Sequence, residues 1–307
     1  MGKKLISALF AALLIPYIVT LAWTGTIEGK ETAPDLTSGK RIYLDRGAQG
    51  TYVDVEEYLV GIVAKQVPAD FGQEVLKAQS VIARTYIYKQ MGDSQEIPES
   101  SLDMDYLEEK QLKELWGSDN FVTYYKEIEK AVEVTKGMVL TYDGTLIDPL
   151  FHRASTGMTR NGDSAHPYLV SVECAEDIGA ENYLTVMSWS KEEFVEKING
   201  IPDAAPVTAD QVPETIQLIS RDEAGYVKEI QIGTKTYSGE EVQYALGLPS
   251  ASFTLEEFEG GIRAVTKGIG HGYGFSQYAA KCKAENGMTA EELLAYFYKD
   301  VVMETKS

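Results

Sequence analysis

The chain has 307 residues, with 47 acidic and 28 basic side chains and a formal net charge of -19. This length allows one large domain or two small ones with a sizeable buried core, and a composition of 44% apolar and 24% charged residues excludes a disordered chain and a multispanning membrane protein. The acidic balance argues against nucleic-acid binding, which needs clustered Lys and Arg, and two cysteines exclude a disulfide-dense mini-fold.

The N-terminal segment predicts a membrane anchor. Residues 5–23 carry no charged side chain and follow Lys3 and Lys4. A helix of this length spans roughly the 30 Å of a bilayer core, and the flanking lysines favour the cytoplasmic side. We therefore expect residues 1–25 to anchor the protein in the cell membrane as a single-pass helix, with the body extracytoplasmic. A cleaved signal peptide is the alternative, and it places the body on the same side.

Residues 26–45 are predicted to form a polar tether and a first strand, ahead of a single body over residues 46–303. Apolar periodicity predicts a helix over residues 54–64. It predicts a second helix over residues 70–90, with Asp70 as its N-terminal cap.

An acidic stretch, residues 91–118, follows these two helices. Pro98 and paired serines favour a solvated excursion over a Ca²⁺ loop, because the spacing of calcium ligands is absent. A helix is predicted over residues 121–135, and a hairpin with an Asp-Gly turn over residues 138–151.

The remainder of the chain predicts a lobe rich in β-hairpins at about residues 205–260 and a C-terminal helix over residues 289–298. No internal repeat is present. Helices and hairpins that do not alternate regularly indicate an α+β fold with one mixed body.

The segment richest in glycine covers residues 268–278 and reads GIGHGYGFSQY. Glycine permits positive φ and lets a ligand approach the backbone closely. The loop is predicted to display His271, Tyr273, Ser276 and Gln277 where a helix begins, and helix N–H groups suit an anionic or hydroxyl-rich ligand. The alternative is a structural turn around one packed histidine.

The sequence leaves a metal site and a disulfide open. His152, His166, His271 and Cys174 are of the types that bind zinc, but no pair has tight ligand spacing, so no metal is predicted. Cys174 and Cys282 either form a disulfide or remain thiols.

Seven blocks of the chain resemble stage II sporulation protein D, of the peptidoglycan lytic transglycosylase and amidase-enhancer family. The blocks follow one another in the family's order. They are VEEYLVGIVA at residues 55–64, VPADF at 67–71, EVLKAQSVIARTY at 74–86, FHRASTG at 151–157, YLVSVE at 168–173, LGLPS at 246–250 and GHGYGFSQ at 270–277. The resemblance implies a cleft that binds glycan strands. Its implied lining is Lys77, Arg84, His152, His271, Tyr273, Ser276 and Gln277.

One departure from the family concerns the general acid/base. The family carries a glutamate immediately before Met-Pro, and here Gln66 precedes Val67-Pro68. Cleavage that forms an anhydro sugar needs a group that protonates the leaving oxygen and then takes a proton from the 6-hydroxyl. A carboxamide has no such acidic proton. Asp70 or Glu74 nearby would have to substitute.

Two functions follow from the resemblance, both in sporulation-associated remodelling of the cell wall. In the first, the protein is a lytic transglycosylase whose activity is reduced or lost at Gln66. In the second, it is a non-catalytic glycan-binding subunit that enhances a partner amidase, alongside other sporulation membrane proteins. A secreted zinc hydrolase of another family is a third class, but its metal ligands are not evident in the sequence.

Overall fold

The computed structural model describes residues 35–46 and 50–306. The predicted anchor over residues 1–25 and most of the predicted tether lie outside the described residues. Within the described ranges, no helix is long and apolar enough to cross a bilayer.

Three long helices carry the larger core. They are α1 (Val55–Gln66), α2 (Gln73–Met91) and α3 (Glu109–Val134). The carboxylate of Asp54 accepts a hydrogen bond from the Glu56 N–H and so caps α1. The apolar stripe predicted on α2 is buried at Val75, Ala78 and Ile82, which is the pattern that a helix packed on one face produces.

Two predictions at the ends of these helices are wrong. Asp70 does not cap α2, because it lies in a short 3₁₀ turn, Ala69–Phe71, and Gly72 occupies the cap position without a side-chain bond. The acidic excursion is partly helical, since α3 already begins at Glu109 and continues past a kink at Gly117. The capping box formed by Glu108 and Gln111 is the local signal that starts this helix.

Small sheets border the helical layer. They contain β1 (Arg41–Leu44), β2 (Thr51–Asp54), β3 (Glu96–Pro98), β4 (Met138–Tyr142), β5 (Thr145–Leu146) and β6 (Phe151–His152). The order of the first sheet is β2-β1-β3. The Asp-Gly turn is confirmed, because Asp143 and Gly144 both have positive φ between β4 and β5.

A second lobe with its own apolar cluster is larger than the predicted residues 205–260. It contains β7 (Leu184–Trp189), α4 (Lys191–Asn199), β8 (Ile216–Arg221), β9 (Val227–Ile232), β10 (Lys235–Ser238), α5 (Gly239–Leu246), β11 (Phe253–Phe258) and β12 (Gly261–Lys267). Its two sheets have the orders β10-β9-β8 and β11-β12-β7. The helices α4 and α5 are too short for a clear sequence period, although each has a serine capping box.

The chain returns to the larger core at its C-terminal end. The last elements are β13 (Phe275–Ser276), α6 (Gln277–Glu285), α7 (Ala290–Phe297) and β14 (Val302–Thr305). β13 pairs in parallel with β6, and β14 pairs antiparallel with β4. The mixture of helices and small sheets confirms the α+β class. The pairing of β13 with β6, together with bridges from Ala154 to Ile269 and from Arg160 to Tyr273, brings the glycine-rich loop against β6 and the loop that follows it.

Candidate functional site

A cleft of about 640 Å³ lies where α1 ends, beside α2 and the glycine-rich loop. Its lining is Gln66, Ile82, Ala83, Tyr86, Asp103, Met104, Asp148, Pro149, Leu150, Phe151, His166 and His271. Gln66 and His271, which the sequence placed in one site, therefore line the same cavity although they are more than two hundred residues apart in the chain.

Gln66 ends a short chain of amide hydrogen bonds. Gln277 Nε2 donates to Gln79 Oε1 at 3.2 Å, and Gln79 Nε2 donates to Gln66 Oε1 at 2.8 Å. Gln277 Nε2 also donates to the backbone oxygen of Gln66 at 2.9 Å. The bonds fix which end of the Gln66 amide is the oxygen, and they hold the carboxamide at the cleft.

The glycine-rich loop owes its composition to close approach within the protein. Gly268, Gly270, Gly272 and Gly274 all have positive φ. A Cβ atom on Gly272 would lie 2.4 Å from the Tyr226 ring, and one on Gly274 would lie 2.1 Å from the Leu150 oxygen. Other parts of this chain, rather than a ligand, therefore occupy the space beside these glycines.

The two histidines of the loop region are held neutral by burial. Burial lowers the pKa of His152 to about 3, with a smaller contribution from His271. Burial, and then the charge of Arg160, lowers the pKa of His271 to about 4. Both imidazoles therefore act as uncharged hydrogen-bonding groups at neutral pH.

The hydrogen bonds of these histidines stabilise the loop. His271 Nδ1 accepts from the Tyr273 N–H at 3.0 Å, and His271 also bonds to the backbone of Phe151. His152 Nδ1 lies 3.1 Å from the Tyr273 oxygen and serves as the donor there. His152 Nε2 is buried, and no described residue offers it a partner.

Arg160 links the loop to the second lobe. Its guanidinium lies between the rings of Tyr226 and Tyr273, at 4.7 and 4.4 Å from their centroids. It donates to Asp222 Oδ2 at 2.6 Å and to Glu240 Oε1 at 2.8 Å. Tyr273 is thereby turned towards a separate polar cavity of about 390 Å³ that Arg160 also lines.

Ser276, Gln277 and His152 were predicted to touch glycan, and the structure assigns them a supporting position instead. All three are buried. The Ser276 hydroxyl donates to the Asp177 carboxylate at 2.8 Å, and that carboxylate also accepts from Ser155. These bonds tie the start of α6 to the loop after β6, so the side chains shape the cleft from behind.

The pairing of Lys77 with Arg84 on the cleft wall is wrong. Arg84 has no exposed surface, and its guanidinium binds both oxygens of the buried Glu56 at 2.8 and 2.6 Å. Lys77 pairs with Glu74 at 2.6 Å and lines a different cavity. Lys77 and Arg84 are two turns apart on α2. Their surroundings differ because α3 covers α2 at Arg84.

No zinc site is assembled in the part of the chain that the structure describes. No group of three or more His, Cys, Asp or Glu side chains has the geometry of a metal site there. Cys174 and Cys282 are both free thiols, so the disulfide alternative is wrong. Burial raises the pKa of the Cys174 thiol well above its usual range, which keeps it protonated and unreactive.

Sequence reasoning missed the polar groups that enter the cleft from the loops. Asp148 Oδ1 is 2.6 Å from Lys89 Nζ, and its other oxygen is 3.4 Å from His166 Nε2. His166 Nδ1 is 2.7 Å from Asp163 Oδ1. The spacing of Asp163 and His166, three residues apart in a loop, was the only local signal for this arrangement.

The chain resembles curated proteins of known name over most of its length. A family model described as Stage II sporulation protein matches residues 47–142. Stage II sporulation protein D of Bacillus amyloliquefaciens is 35% identical over 261 residues, which cover 81% of this chain and 74% of that protein. Stage II sporulation protein D of Bacillus subtilis (strain 168) is 32% identical over 284 residues, covering 89% and 80%.

A more distant similarity extends to a protein with a different name. The amidase enhancer of Bacillus subtilis (strain 168) is 25% identical over 291 residues, which cover 78% of this chain and 39% of that protein.

Proposed function

Because the chain belongs to the stage II sporulation protein D family, we propose that it remodels the cell wall during sporulation by holding peptidoglycan glycan strands in the cleft of Gln66 and His271. The family membership rests on two relatives at 35% and 32% identity over most of both chains. The cleft supports the proposal because it combines Tyr86 and Phe151 with polar side chains. Sugars offer matching hydroxyls and apolar ring faces.

The observation that carries the proposal is the carboxamide at the cleft. Gln66 keeps hydrogen bonds that a glutamate oxygen would also accept, since Gln79 Nε2 is the donor. It cannot release or take a proton near neutral pH. Loss of general acid/base assistance costs about 10²–10⁴ in rate. In this proposal the cleft holds the glycan strand, and position 66 supplies no proton for its cleavage.

Neither of the two nearby carboxylates expected to substitute is placed to do so. The Glu74 carboxylate accepts from the Ala290 N–H at 2.8 Å and pairs with Lys77 in another cavity. Asp70 is exposed and does not line the cleft. A strand that is bound but cleaved only slowly suits a subunit that enhances a partner amidase, a role for which the named amidase enhancer is the precedent.

The proposal includes a place for the protein. Residues 5–23 would anchor it in the cell membrane, with the body outside the cytoplasm and near other sporulation membrane proteins. Protease treatment of intact and lysed cells tests this. Digestion of the body in intact cells before lysis is expected, and protection until lysis would contradict it.

The sharpest test of the cleft is Gln66→Glu in the full chain. Glycan strands without stem peptides are the substrate, and products with anhydromuramic ends are measured by mass spectrometry. We expect both forms to bind the strands and Gln66→Glu to release product about 10²–10⁴ times faster.

Lys77→Ala is the matched control, since Lys77 lines another cavity; it should bind and cleave like the unmodified chain. Failure of both the unmodified chain and Gln66→Glu to bind strands would reject the cleft. Rapid cleavage by the unmodified chain, not increased by Gln66→Glu, would reject the role assigned to position 66.

A further inference from the structure

The cleft contains a second histidine in different surroundings from His271. His166 lies in the loop after β6, and about 28% of its side chain is exposed. Its Nδ1 bonds to the Asp163 carboxylate at 2.7 Å, and Asp163 is itself fixed by the backbone N–H groups of Ala165 and His166. A carboxylate at Nδ1 makes that nitrogen a donor and leaves the second nitrogen for chemistry.

The second nitrogen of His166 is turned towards Asp148, a carboxylate that lines the cleft. Nε2 is 3.4 Å from Asp148 Oδ2, and Asp148 is held by Lys89 through its other oxygen. The ring also contacts Tyr168 edge to face, with centroids 6.1 Å apart. The imidazole is thus held between two carboxylates, with one carboxylate facing each ring nitrogen.

The other titratable groups of the cleft are less suited to transfer a proton. Both nitrogens of His271 are engaged by backbone atoms of Tyr273 and Phe151. One oxygen of the Asp148 carboxylate is already occupied by the Lys89 ammonium group, 2.6 Å away. Asp103 is exposed to solvent at the edge of the cleft.

We propose that His166 is a catalytic residue, which transfers protons in the cleft in place of the carboxyl group missing at position 66. This inference rests on the proposed glycan-binding function and names the group responsible for a slow residual cleavage. Histidine is the side chain most often used for such transfer.

The step balances without water or a co-reactant. The protonated His166 donates its Nε2 proton to the bridging glycosidic oxygen while the bond from C1 to that oxygen breaks. The resulting neutral Nε2 then takes the proton of the C6 hydroxyl as O6 bonds to C1. The products are a strand with a free hydroxyl and a strand with an anhydro end, and the imidazolium is restored.

The test compares the full chain with His166→Ala on glycan strands without stem peptides. Slow release of anhydromuramic ends is expected from the unmodified chain, falling about 10²-fold or more in His166→Ala. Added imidazole should restore part of the His166→Ala rate, which a purely structural role would not allow. Asp163→Asn should lower the rate without preventing strand binding, and Lys77→Ala is the control outside the cleft.

A double variant separates this inference from the proposed function. In Gln66→Glu with His166→Ala, the glutamate should supply the proton and cleavage should be fast. Strand binding without any product from the unmodified chain would overturn the role of His166 and leave the proposed function standing, as would an unchanged rate in His166→Ala. Absence of strand binding in every form would overturn both.

Discussion

Two basic residues on α2 have different roles although their side chains carry the same charge. Arg84 and Lys77 lie on the same helix and carry the same charge, yet one is in the core and the other is part of a surface pair. The Arg84 guanidinium also donates to the backbone oxygens of Val132 and Met138. It therefore ties α2 to the end of α3 and the start of β4.

Arg84 stabilises the fold through its buried ion pair with Glu56. Arg84→Met leaves the Glu56 carboxylate buried without its partner, and we expect the free energy of unfolding to fall by about 3–5 kcal/mol. Urea unfolding followed by circular dichroism measures this. The matched control is Lys77→Met, which breaks a surface pair and should cost about 1 kcal/mol or less. Equal losses in the two variants would contradict the assignment of Arg84 to the core.

At the scale of elements, the glycine-rich loop has the backbone conformation that its sequence predicts, but for a different reason from the one expected. The loop was expected to make room for a ligand, and its glycines instead make room for Tyr226, Leu150, His152 and Ala154 of the same chain. Its backbone conformation was predictable because alternating glycines favour positive φ. The neighbours were not, since they come from distant parts of the chain.

A prediction at this scale separates conformation from packing. Gly272→Ala and Gly247→Ala both place alanine at positive φ, but only Gly272 has a neighbour within reach of the added Cβ. We expect Gly272→Ala to lower the free energy of unfolding by about 1–3 kcal/mol more than Gly247→Ala. Thermal unfolding of the two variants checks this, and a larger loss in Gly247→Ala would contradict the packing at Tyr226.

For the whole molecule, the joining of two apolar cores at buried polar groups makes stability depend on pH. The pKa values of His152 and His271, about 3 and about 4, lie below the value of about 6.5 expected in an unfolded chain. At pH values between the folded-state and the unfolded-state pKa of each histidine, the unfolded chain binds a proton that the folded protein does not. The stabilisation is complete above about pH 6.5 and is lost as the pH falls towards 4 and then 3.

We therefore expect the free energy of unfolding to be lower at pH 5 than at pH 7, by about 2 kcal/mol for each of the two histidines. Urea unfolding at the two pH values measures this. Asp177 acts in the opposite direction, because burial raises its pKa and the folded protein takes up a proton there first. His152→Gln is the control and should lose part of the pH dependence. Equal stability at pH 5 and pH 7 in the unmodified chain would contradict the burial of these imidazoles.

The sequence by itself determined the local features of this protein. Apolar periodicity predicted α1 and most of α2, and the Asp-Gly turn predicted its hairpin, because these depend on residues close in the chain. The family, and the presence of a carboxamide at position 66, could also be identified from short blocks of residues.

Only the tertiary structure decided which side chains face the cleft. Arg84 was excluded from it because α3 covers α2, while His166 and Asp148 entered it from loops with no period to read. Burial and the choice of hydrogen-bond partner depend on contacts between residues that are far apart in sequence. The order of residues along the chain does not show which of them come close in space. The lining of the candidate cleft was therefore predictable at Gln66 and His271, where a motif marks the position, and unpredictable where packing alone selects the residue.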